Sequence, residues 1–337
     1  MIVLGGDRHR VGYQSVQERD GTADMTPGSE AELPTGSSAA VGPNATPAAN
    51  AQDSSDDKGP TARRMILGSQ LRRLRESAGL SRADAGYHIR ASESKISRLE
   101  LGRVKFKGRD VEDLLTLYGV SDPAERSSFM EMVDQSAQPG WWQKFNDYMP
   151  RWFDDYVGLE EAAARIQTYE LQFFPGLLQT REYARAIMTH GLPEHASEAA
   201  EARVRLRMRR QRLLFRPDAP KLWAVIDESV LYRPIGGREV HRAQLDQVLE
   251  LTAMPHITVQ VVPYERSGYA AEGSFTLLRF SEPELPNIGY VEHIAGGVYL
   301  DRPDDVELIG RSLDRLAVDA ETPDRSRQMM HKARAAV

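Results

Sequence analysis

The stretch LSRADAGYHIRASESKISRLELGR, residues 80–103, contains two short helical patterns with only a few residues between them. Ser81 is suited to cap the first pattern, because Asp84 follows three residues later in an acidic variant of the capping box. A first helix is therefore predicted from Arg82. Its apolar periodicity breaks at Ala91, so this helix is short and a second one begins close behind it.

The second helix is predicted over residues 93–101, with Ser92 as its N-cap and Gly102 as its stop. On a wheel of 3.6 residues per turn, Ile96 and Leu99 share one face, which is expected to be buried. The opposite face carries Ser94, Ser97 and Arg98. An arginine can bind guanine through two hydrogen bonds and hydroxyls can bind several base edges, so this face is typical of a helix that reads DNA. Lys95 lies on the flank, where a phosphate is the expected partner.

A surface helical hairpin with solvated charges is the alternative to a DNA-reading helix-turn-helix. It is disfavoured because the flanking segments are also helical in pattern, and each ends at a glycine, Gly79 or Gly119. The apolar positions of these segments are Leu67, Leu71, Leu74 and Ala78 on one side and Val111, Leu114, Leu115 and Tyr118 on the other. Four or five small helices around one core are what a helix-turn-helix domain needs.

Positive charge is concentrated in the same region. Residues 61–120 hold 13 Lys or Arg against 7 Asp or Glu, a net charge of +6, while the whole chain carries −6. Residues 1–60 carry −5 and residues 121–337 carry −7. A basic island is often only a solvated face, but here it surrounds the predicted reading helix and offers partners for backbone phosphates. The candidate phosphate partners are Arg72, Arg73, Arg75, Arg103, Lys105, Lys107 and Arg109.

Several longer motifs follow in the second half of the chain. They are GWW at 140–142, PGLLQTREYARA at 175–186, RMRRQRLL at 207–214, LWAVIDESVL at 222–231 and FTLLRF at 275–280. With these motifs, residues 64–335 resemble the actinobacterial WhiJ-like regulators, and residues 64–120 resemble the Xre-type helix-turn-helix of phage repressors. The resemblance implies an all-α, lambda-repressor-like DNA-binding domain followed by a large C-terminal domain of unknown function.

The resemblance also implies contacts and partners. Arg82 would lie near a phosphate, and Glu93, Ser94 and Arg98 would face bases. A small partner protein, encoded next door and in an antitoxin-like relation to this chain, is implied as well. The predicted DNA-binding residues are, in all, Arg82, Ser92, Glu93, Ser94, Lys95, Ser97, Arg98, Arg103, Lys105 and Lys107.

The sequence departs from the family pattern at three positions of the helix-turn-helix. Ala85 replaces a larger aliphatic residue, and Gly86 replaces the small alanine packed between the two helices. A glycine inside a helix costs roughly 1 kcal/mol relative to alanine. Arg90 replaces the turn glycine, so it must adopt a left-handed conformation or another kind of turn.

Length and composition limit the remaining possibilities. A chain of 337 residues is expected to form two folded units plus a tail, and residues 1–60, rich in small and polar residues, are predicted to be a disordered tail. The absence of cysteine excludes disulfides, thiolate zinc sites and cysteine nucleophiles. No apolar run approaches the ~20 residues of a membrane span, and no signal peptide is recognised. A cytoplasmic, nucleoid-associated protein is expected, with no contact to a membrane.

Residues 121–157 are predicted to link the two units. A helix is expected from Pro123 to about Ala137, opened by Ser121 and Asp122. Seven of the 25 aromatic residues follow within 16 positions: Trp141, Trp142, Phe145, Tyr148, Trp152, Phe153 and Tyr156. Such rings can stack bases, line a ligand pocket or form a subunit interface, but packing of the linker into the C-terminal core is the favoured interpretation.

The C-terminal domain, residues 158–335, is predicted to be a mixed α+β or three-layer fold. Helical patterns occupy about 158–168, 181–190, 196–215, 238–252 and 304–318. Strand-like runs occur at Leu222–Ile226, Ile257–Val262, Phe275–Phe280, Gly289–Glu292 and Val298–Leu300.

An arginine-rich stretch lies within this domain. Residues 203–216 contain seven arginines, with Glu194, Glu198 and Glu201 nearby. A solvated or salt-bridged helical face is the favoured interpretation, and an anionic ligand or a second length of DNA is the alternative.

Catalytic motifs are missing from the sequence. No metal-ligand pattern around the eight histidines, no phosphate-binding loop, no dinucleotide fingerprint and no nucleophile elbow is present. Glu292 and His293 are neighbours on a strand and so are poorly placed as a dyad, and Asp227 and Glu228 are expected to serve as turn or cap residues. The chain is therefore expected not to be an enzyme and to need no cofactor.

These observations predict a sequence-specific, DNA-binding transcriptional regulator. A homodimer on a two-fold-related operator is expected, because helix-turn-helix proteins gain affinity by spanning adjacent half-sites. The C-terminal domain would then serve dimerisation and signal or partner input. One alternative is an antitoxin-like protein that mainly captures a small partner protein and binds DNA for autoregulation. Another is a sensor with a small-molecule ligand in its C-terminal domain.

Overall fold

The computed structural model describes residues 59–190, 197–266, 273–282 and 285–337. The tail predicted over residues 1–60 lies, apart from its last two residues, outside these ranges.

Within the described residues, the N-terminal domain consists of helices around one apolar core. The helices are α1 (Pro60–Ser77), α2 (Arg82–His88), α3 (Glu93–Glu100), α4 (Gly108–Leu117) and α5 (Pro123–Ala137). Leu67, Leu71, Ile96, Leu114 and Leu115 are almost completely buried in this core. The predicted helical patterns and the helix-turn-helix fold are thereby confirmed.

Local capping sets the boundaries of α2 and α3. The Ser81 hydroxyl accepts a hydrogen bond from the Asp84 amide at 3.1 Å, and the Asp84 carboxylate accepts one from the Ser81 amide at 3.0 Å. This is the predicted capping box. The Ser92 hydroxyl accepts a hydrogen bond from the Lys95 amide at 3.2 Å, so α3 begins where its N-cap predicts.

The fifth helix differs in role from the prediction. Its bounds, Pro123–Ala137, and its cap by Asp122 are as expected, but Phe129 and Val133 pack into the core of the N-terminal domain. The helix therefore belongs to that domain and is not a linker. After it, a 3₁₀ helix over Trp141–Tyr148 and helix α6 (Arg151–Ala162) lead into the C-terminal domain.

The C-terminal domain is built on a six-stranded mixed sheet. Its strands are β1 (Arg165–Glu170), β2 (Lys221–Asp227), β3 (Ile257–Val262), β4 (Phe275–Arg279), β5 (Ile288–His293) and β6 (Gly296–Leu300). The order is β3-β2-β1-β4-β5-β6, with β1, β2 and β3 parallel and the remaining pairs antiparallel. The other helices are α7 (Arg181–Thr189), α8 (Ser197–Arg210), α9 (Ser229–Tyr232), α10 (Arg238–Leu251), α11 (Pro303–Asp319) and α12 (Pro323–Ala336).

Alternating side chains give the sheet two apolar faces. Val225 and Leu277 pack with Leu313 of α11 on one face. Ile226 and its neighbours on the other face pack with Leu245 of α10 and with residues of α12. Helices thus cover both faces, and the predicted mixed α+β domain has three layers.

One prediction for this domain is wrong, and the structure refines another. The helix predicted over 158–168 ends at Ala162, and residues 165–170 form the central strand β1. Because both sides of β1 are buried, Ile166 on one face and Tyr169 on the other, the strand lacks an apolar–polar alternation that would separate it from a helix. The helix predicted over 196–215 is α-helical only to Arg210, and a 3₁₀ helix over Gln211–Phe215 follows.

Helix α1 contributes to two cores. Leu67 is buried in the N-terminal core, whereas Met65 belongs to the main core of the C-terminal domain, together with Tyr156 of α6. Thr61 lies so close to Gly158 of α6 that a Cβ at position 158 would overlap the threonine side chain. The backbones of α1 and α6 are therefore in close contact.

No helix in the described ranges combines the length and the apolar character that crossing a membrane requires. The same residues contain no group of three or more His, Cys, Asp or Glu side chains that could hold a metal ion.

Candidate DNA-binding site

Helix α3 presents a short polar face to solvent. Glu93, Ser94 and Arg98 are exposed and Ser97 is half-buried, while Ile96 lies in the core. The Arg98 Nε donates a hydrogen bond to the Ser94 carbonyl at 3.3 Å, and Arg98 forms no ion pair with the described residues. The structure therefore brings the predicted base-contacting side chains together on one surface, with the arginine not neutralised there.

The C-terminal end of α3 is held by a buried ionic cluster. The Glu100 side chain is only 2% exposed, and its two oxygens accept hydrogen bonds from Arg75 Nε at 2.5 Å and Arg82 Nε at 2.9 Å. The hydrogen bond to Glu100 raises the pKa of Arg75. A buried carboxylate needs such partners to offset its lost hydration. The cluster links α1, α2 and α3 and fixes how α3 leaves the core.

This cluster corrects one phosphate assignment and restricts another. Arg75 is buried against Glu100 and donates a further hydrogen bond to the Leu80 carbonyl at 2.6 Å, so it does not face DNA. Arg82 uses its Nε for Glu100 but keeps about a third of its side chain exposed. Only the terminal N–H groups of Arg82 are therefore available to contact a phosphate.

The turn between α2 and α3 explains two departures from the family pattern. Arg90 has a φ of 54°, so it adopts the left-handed conformation that glycine would favour. Gly86 allows a close approach of the turn, since a Cβ built there would lie 2.8 Å from the Ala91 carbonyl oxygen. An alanine at position 86 would therefore push α2 and the start of α3 apart.

The basic residues around α3 fall into two groups. Lys105, Lys107 and Arg109 are exposed and form no ion pair with the described residues, as expected for phosphate contacts. Three others are paired with carboxylates: Lys95 with Asp110 at 2.5 Å, Arg103 with Asp301 at 2.6 Å and Arg72 with Glu76 at 2.8 Å. Phosphate contacts by the paired residues would have to compete with these carboxylates.

Two residues of this region were not singled out from the sequence. Tyr87, in the last turn of α2, is 89% exposed, an unusual position for an aromatic ring. The sequence indicates this exposure, because Tyr87 lies outside the row of apolar positions formed by Ala85 and Ile89. Glu100 directly follows the buried Leu99. The sequence signal for its burial is an acidic residue next to the apolar face of an amphipathic helix.

The arginine-rich stretch is in part the predicted solvated face. Its exposed arginines are Arg205, Arg209, Arg212 and Arg216. Arg210 is buried and pairs with Glu160 of α6 through two hydrogen bonds of 2.7 Å. Glu201 instead pairs with Arg185 of α7, and Glu198 accepts a hydrogen bond from the Tyr148 hydroxyl at 3.4 Å. Glu194 lies outside the described residues. The expected pairing within one helix is thus replaced by pairing between helices.

The predicted packing of the aromatic segment into the C-terminal domain is confirmed for its core residues. Trp142, Phe145 and Tyr156 are buried. Trp152 and Phe153 are half-buried and, with Tyr156, line a cavity of about 530 Å³. The segment therefore both fills the core and forms one wall of a cavity.

The acidic residues considered for catalysis have structural partners. Asp227 accepts a hydrogen bond from the Ser229 amide at 2.9 Å, and Glu228 accepts one from the Tyr264 amide at 2.8 Å, as expected for turn and cap residues. Glu292 and His293 both line the cavity, at the end of β5, although they are consecutive. Glu292 accepts a hydrogen bond from the Tyr290 hydroxyl at 3.1 Å.

Comparison with known protein families gave two matches. Residues 66–129 match a family described as a helix-turn-helix domain, and this range spans most of α1, all of α2 to α4 and part of α5. Residues 153–332, more than half of the chain, match a family described as a domain of unknown function (DUF5753). Comparison with curated proteins and with solved structures gave no match.

Proposed function

The chain belongs to the DUF5753 family and carries a helix-turn-helix domain ahead of the family's domain, and from this premise we propose that it is a sequence-specific DNA-binding transcriptional regulator. The observation that carries the proposal is the exposed polar face of α3, formed by Glu93, Ser94 and Arg98. In helix-turn-helix proteins the second helix enters the major groove, and residues from its N-terminal part contact base edges.

Arg98 is the residue with the strongest expected effect on specificity. Its guanidinium is exposed and can donate two hydrogen bonds to guanine. Ser94 lies one turn before it and can bind either a base or a phosphate. Glu93 can accept a hydrogen bond from the amino group of cytosine. The face is thus equipped to distinguish base pairs.

Charge supports the same function. The net charge of +6 on residues 61–120 contrasts with −7 on residues 121–337. Contacts from Lys105, Lys107 and Arg109 to phosphates would release counterions from the duplex, so affinity would fall steeply with salt. These contacts would position the domain, and α3 would supply the specificity.

The proposal also covers how the regulator assembles, what its C-terminal domain does and where in the cell it acts. A homodimer would place two α3 helices on half-sites about one helical turn apart, and the C-terminal domain would provide dimerisation and signal or partner input. The resemblance to WhiJ-like regulators adds the antitoxin-like alternative, in which a small neighbouring protein binds this domain. We also propose that the chain acts at the chromosome, in the cytoplasm and associated with the nucleoid, and that it has no enzymatic activity.

Selection of genomic DNA fragments by the purified full-length chain tests the main proposal. The bound fragments are sequenced in parallel for the wild type and for Arg205→Ala, which changes an exposed arginine of α8 far from α3 in the sequence. We expect one shared, two-fold-related motif in both selections. Fragments without a common motif, or no retained DNA at low salt, would contradict the proposal. Light scattering on the same sample measures whether the chain is a dimer.

A further inference from the structure

The cavity of about 530 Å³ lies at one edge of the C-terminal sheet. Its lining includes Glu170 at the end of β1, Thr276 at the start of β4 and Glu292 at the end of β5. Helix α6 closes it from one side and α8 from another. A volume of this size is typical of small-molecule sites, and such sites often lie beyond the carboxyl ends of parallel strands.

Aromatic rings form a preorganised wall of the cavity. Tyr290 of β5 packs against Tyr156 of α6 with ring centres 4.3 Å apart, and Trp152 stacks on Tyr290 at 6.5 Å. Phe153 stacks on Tyr156 at 5.3 Å. The Tyr299 hydroxyl donates a hydrogen bond to the Trp152 carbonyl at 2.5 Å, which fixes α6 against the sheet. Because these rings hold one another in place, the wall offers an apolar surface without rearrangement.

Arg207 of α8 brings an unneutralised positive charge to the cavity. Its Nη1 donates a hydrogen bond to the Gln179 amide oxygen at 2.6 Å, but its Nε is buried without a hydrogen-bond partner. Among the described residues it forms no ion pair, in contrast to Arg210 one turn away, which pairs with Glu160. Burial and the charge of Arg210 lower the pKa of Arg207 to about 10, so it remains a cation at neutral pH.

Two carboxylates share the same cavity. Burial and the neighbouring charge of Glu292 raise the pKa of Glu170 to about 7, although a hydrogen bond with Ser274 acts in the opposite direction. Neither carboxylate forms an ion pair with a described residue. Glu170 is half-buried, whereas Glu292 lies exposed at the end of β5. Near neutral pH Glu170 is divided between its acid and its carboxylate form, and an ammonium group beside it would favour the carboxylate. The cavity therefore holds one cation and two carboxyl groups that form no ion pair with one another.

We propose that this cavity binds an amphoteric small molecule of the α-amino acid type, with its carboxylate on Arg207, its ammonium group on Glu170 and Glu292, and an apolar body against Trp152, Tyr156 and Tyr290. Such a ligand places an anion beside Arg207 and a cation beside the two carboxyl groups. A purely anionic ligand would interact favourably with Arg207 alone, and a purely cationic one with the carboxyl groups alone. The aromatic wall is the remaining surface and suits an apolar or aromatic side chain.

Helix α6 connects the cavity to the DNA-binding domain. Trp152, Phe153 and Tyr156 face the cavity, and Gly158 of the same helix contacts Thr61 of α1 without space for a Cβ. Arg64 of α1 also lies 3.8 Å from the Asp155 carboxylate of α6. A ligand that packs on the aromatic wall would therefore act on the helix that supports α1. A regulatory role for the cavity rests on the proposed function, whereas ligand binding by the cavity does not.

Thermal unfolding and calorimetry on the full chain test the proposal. The probes are L-leucine, L-phenylalanine, L-tyrosine and L-tryptophan, and two matched analogues of tryptophan: indole-3-propionate, which lacks the amine, and tryptamine, which lacks the carboxylate. We expect at least one amino acid to raise Tm and bind, since a ligand that prefers the folded state stabilises it. We expect the matching analogues of the bound probe, made by removing either charged group, to lose at least about tenfold in affinity.

Variants locate the site. Arg207→Met and Glu170→Gln are expected to weaken the bound probe at least about tenfold, while Arg205→Met, on the exposed face of the same helix, leaves its affinity unchanged. The analogue comparison uses the unaltered chain, so it stands even where a variant fails to fold. No response to any of the four amino acids, or equal binding of an analogue that lacks one charge, would overturn the proposal.

The DNA measurement separates this inference from the proposed function. Probe binding is measured without DNA, so a failure to select a DNA motif leaves its result intact. With the probe bound, the affinity for the selected DNA is expected to change severalfold. Binding of the probe with unchanged DNA affinity would overturn the regulatory role of the cavity.

Discussion

Arg75 of α1 and Glu100 of α3 form a buried, two-point ion pair, with Nε 2.5 Å from Oε1 and Nη2 3.2 Å from Oε2. Arg82 of α2 completes the cluster from the other side. The three helices that position the exposed face of α3 therefore meet at one carboxylate. Glu100 therefore contributes both to the stability of the N-terminal domain and to the orientation of α3.

Glu100→Gln is expected to destabilise the N-terminal domain by about 3–5 kcal/mol, because it leaves two arginines beside a neutral group in a buried site. Glu307→Gln is the control, since Glu307 pairs with Arg311 one turn away at an exposed position of α11 and such pairs contribute about 1 kcal/mol or less. Urea denaturation followed by circular dichroism measures both. Equal effects of the two substitutions would show that the cluster adds little to the free energy of unfolding.

Gly86→Ala tests the close approach of the turn between α2 and α3. Helix propensity alone predicts stabilisation by about 1 kcal/mol, but a Cβ at position 86 would lie 2.8 Å from the Ala91 carbonyl oxygen. We expect the steric overlap to outweigh the gain in helix propensity, so Tm should fall. Gly310→Ala in α11, where a Cβ meets nothing within 4 Å, is the control and should raise Tm. A rise in both variants would contradict the packing described for the turn.

Arg90→Gly tests the left-handed conformation in the same turn. At φ 54° a non-glycine residue is strained by about 1–2 kcal/mol, and glycine relieves this strain at the expense of greater freedom in the unfolded chain. We expect a net stabilisation of about 1 kcal/mol or less. Arg90→Ala keeps the strain and should leave the free energy of unfolding nearly unchanged. An alanine variant as stable as the glycine variant would assign the effect to the arginine side chain.

The raised pKa of Glu170 predicts a dependence of stability on pH. In the unfolded chain this carboxyl ionises near its ordinary pKa of 4.5, whereas in the folded protein it holds its proton up to about pH 7. Between these values unfolding releases a proton, so stability decreases as pH rises and becomes constant above about pH 7. Glu170→Gln removes this contribution. The Tm of the variant relative to wild type should therefore increase from about pH 5 to about pH 8, and parallel pH profiles would contradict the burial of Glu170.

Local signals account for how well the N-terminal domain was predicted. The caps Ser81 and Ser92 act on residues three positions away, so their effects are visible in the sequence, and α2 and α3 begin where they predict. The partners of Arg75 and Arg82 could not be predicted in the same way. Glu100 lies 25 and 18 positions away from them, and only the folded core brings these side chains together.

The C-terminal domain shows the same limit. The composition of strands β2 to β6 predicts each of them as a strand. The pattern at β1 predicts a helix instead, because burial on both faces removes the alternation that marks a strand. The sequence offers a ligand pocket only as an alternative for the aromatic segment, and it does not indicate the charged residues of the cavity. Its charged residues, Glu170, Arg207 and Glu292, come from a strand, a helix and another strand that are far apart in the sequence. No spacing pattern links them.

Whether α3 reads the DNA is tested by the affinities of the wild type, Arg98→Ala and Lys105→Ala for two DNA sites, the selected site and a scrambled one, over a series of salt concentrations. We expect Arg98→Ala to cost about 1–3 kcal/mol of binding free energy on the selected site and little on the scrambled one. We expect Lys105→Ala to weaken binding to both sites alike and to lower the salt slope by about one. If Arg98→Ala leaves both affinity and preference unchanged, α3 is not the helix that reads the DNA.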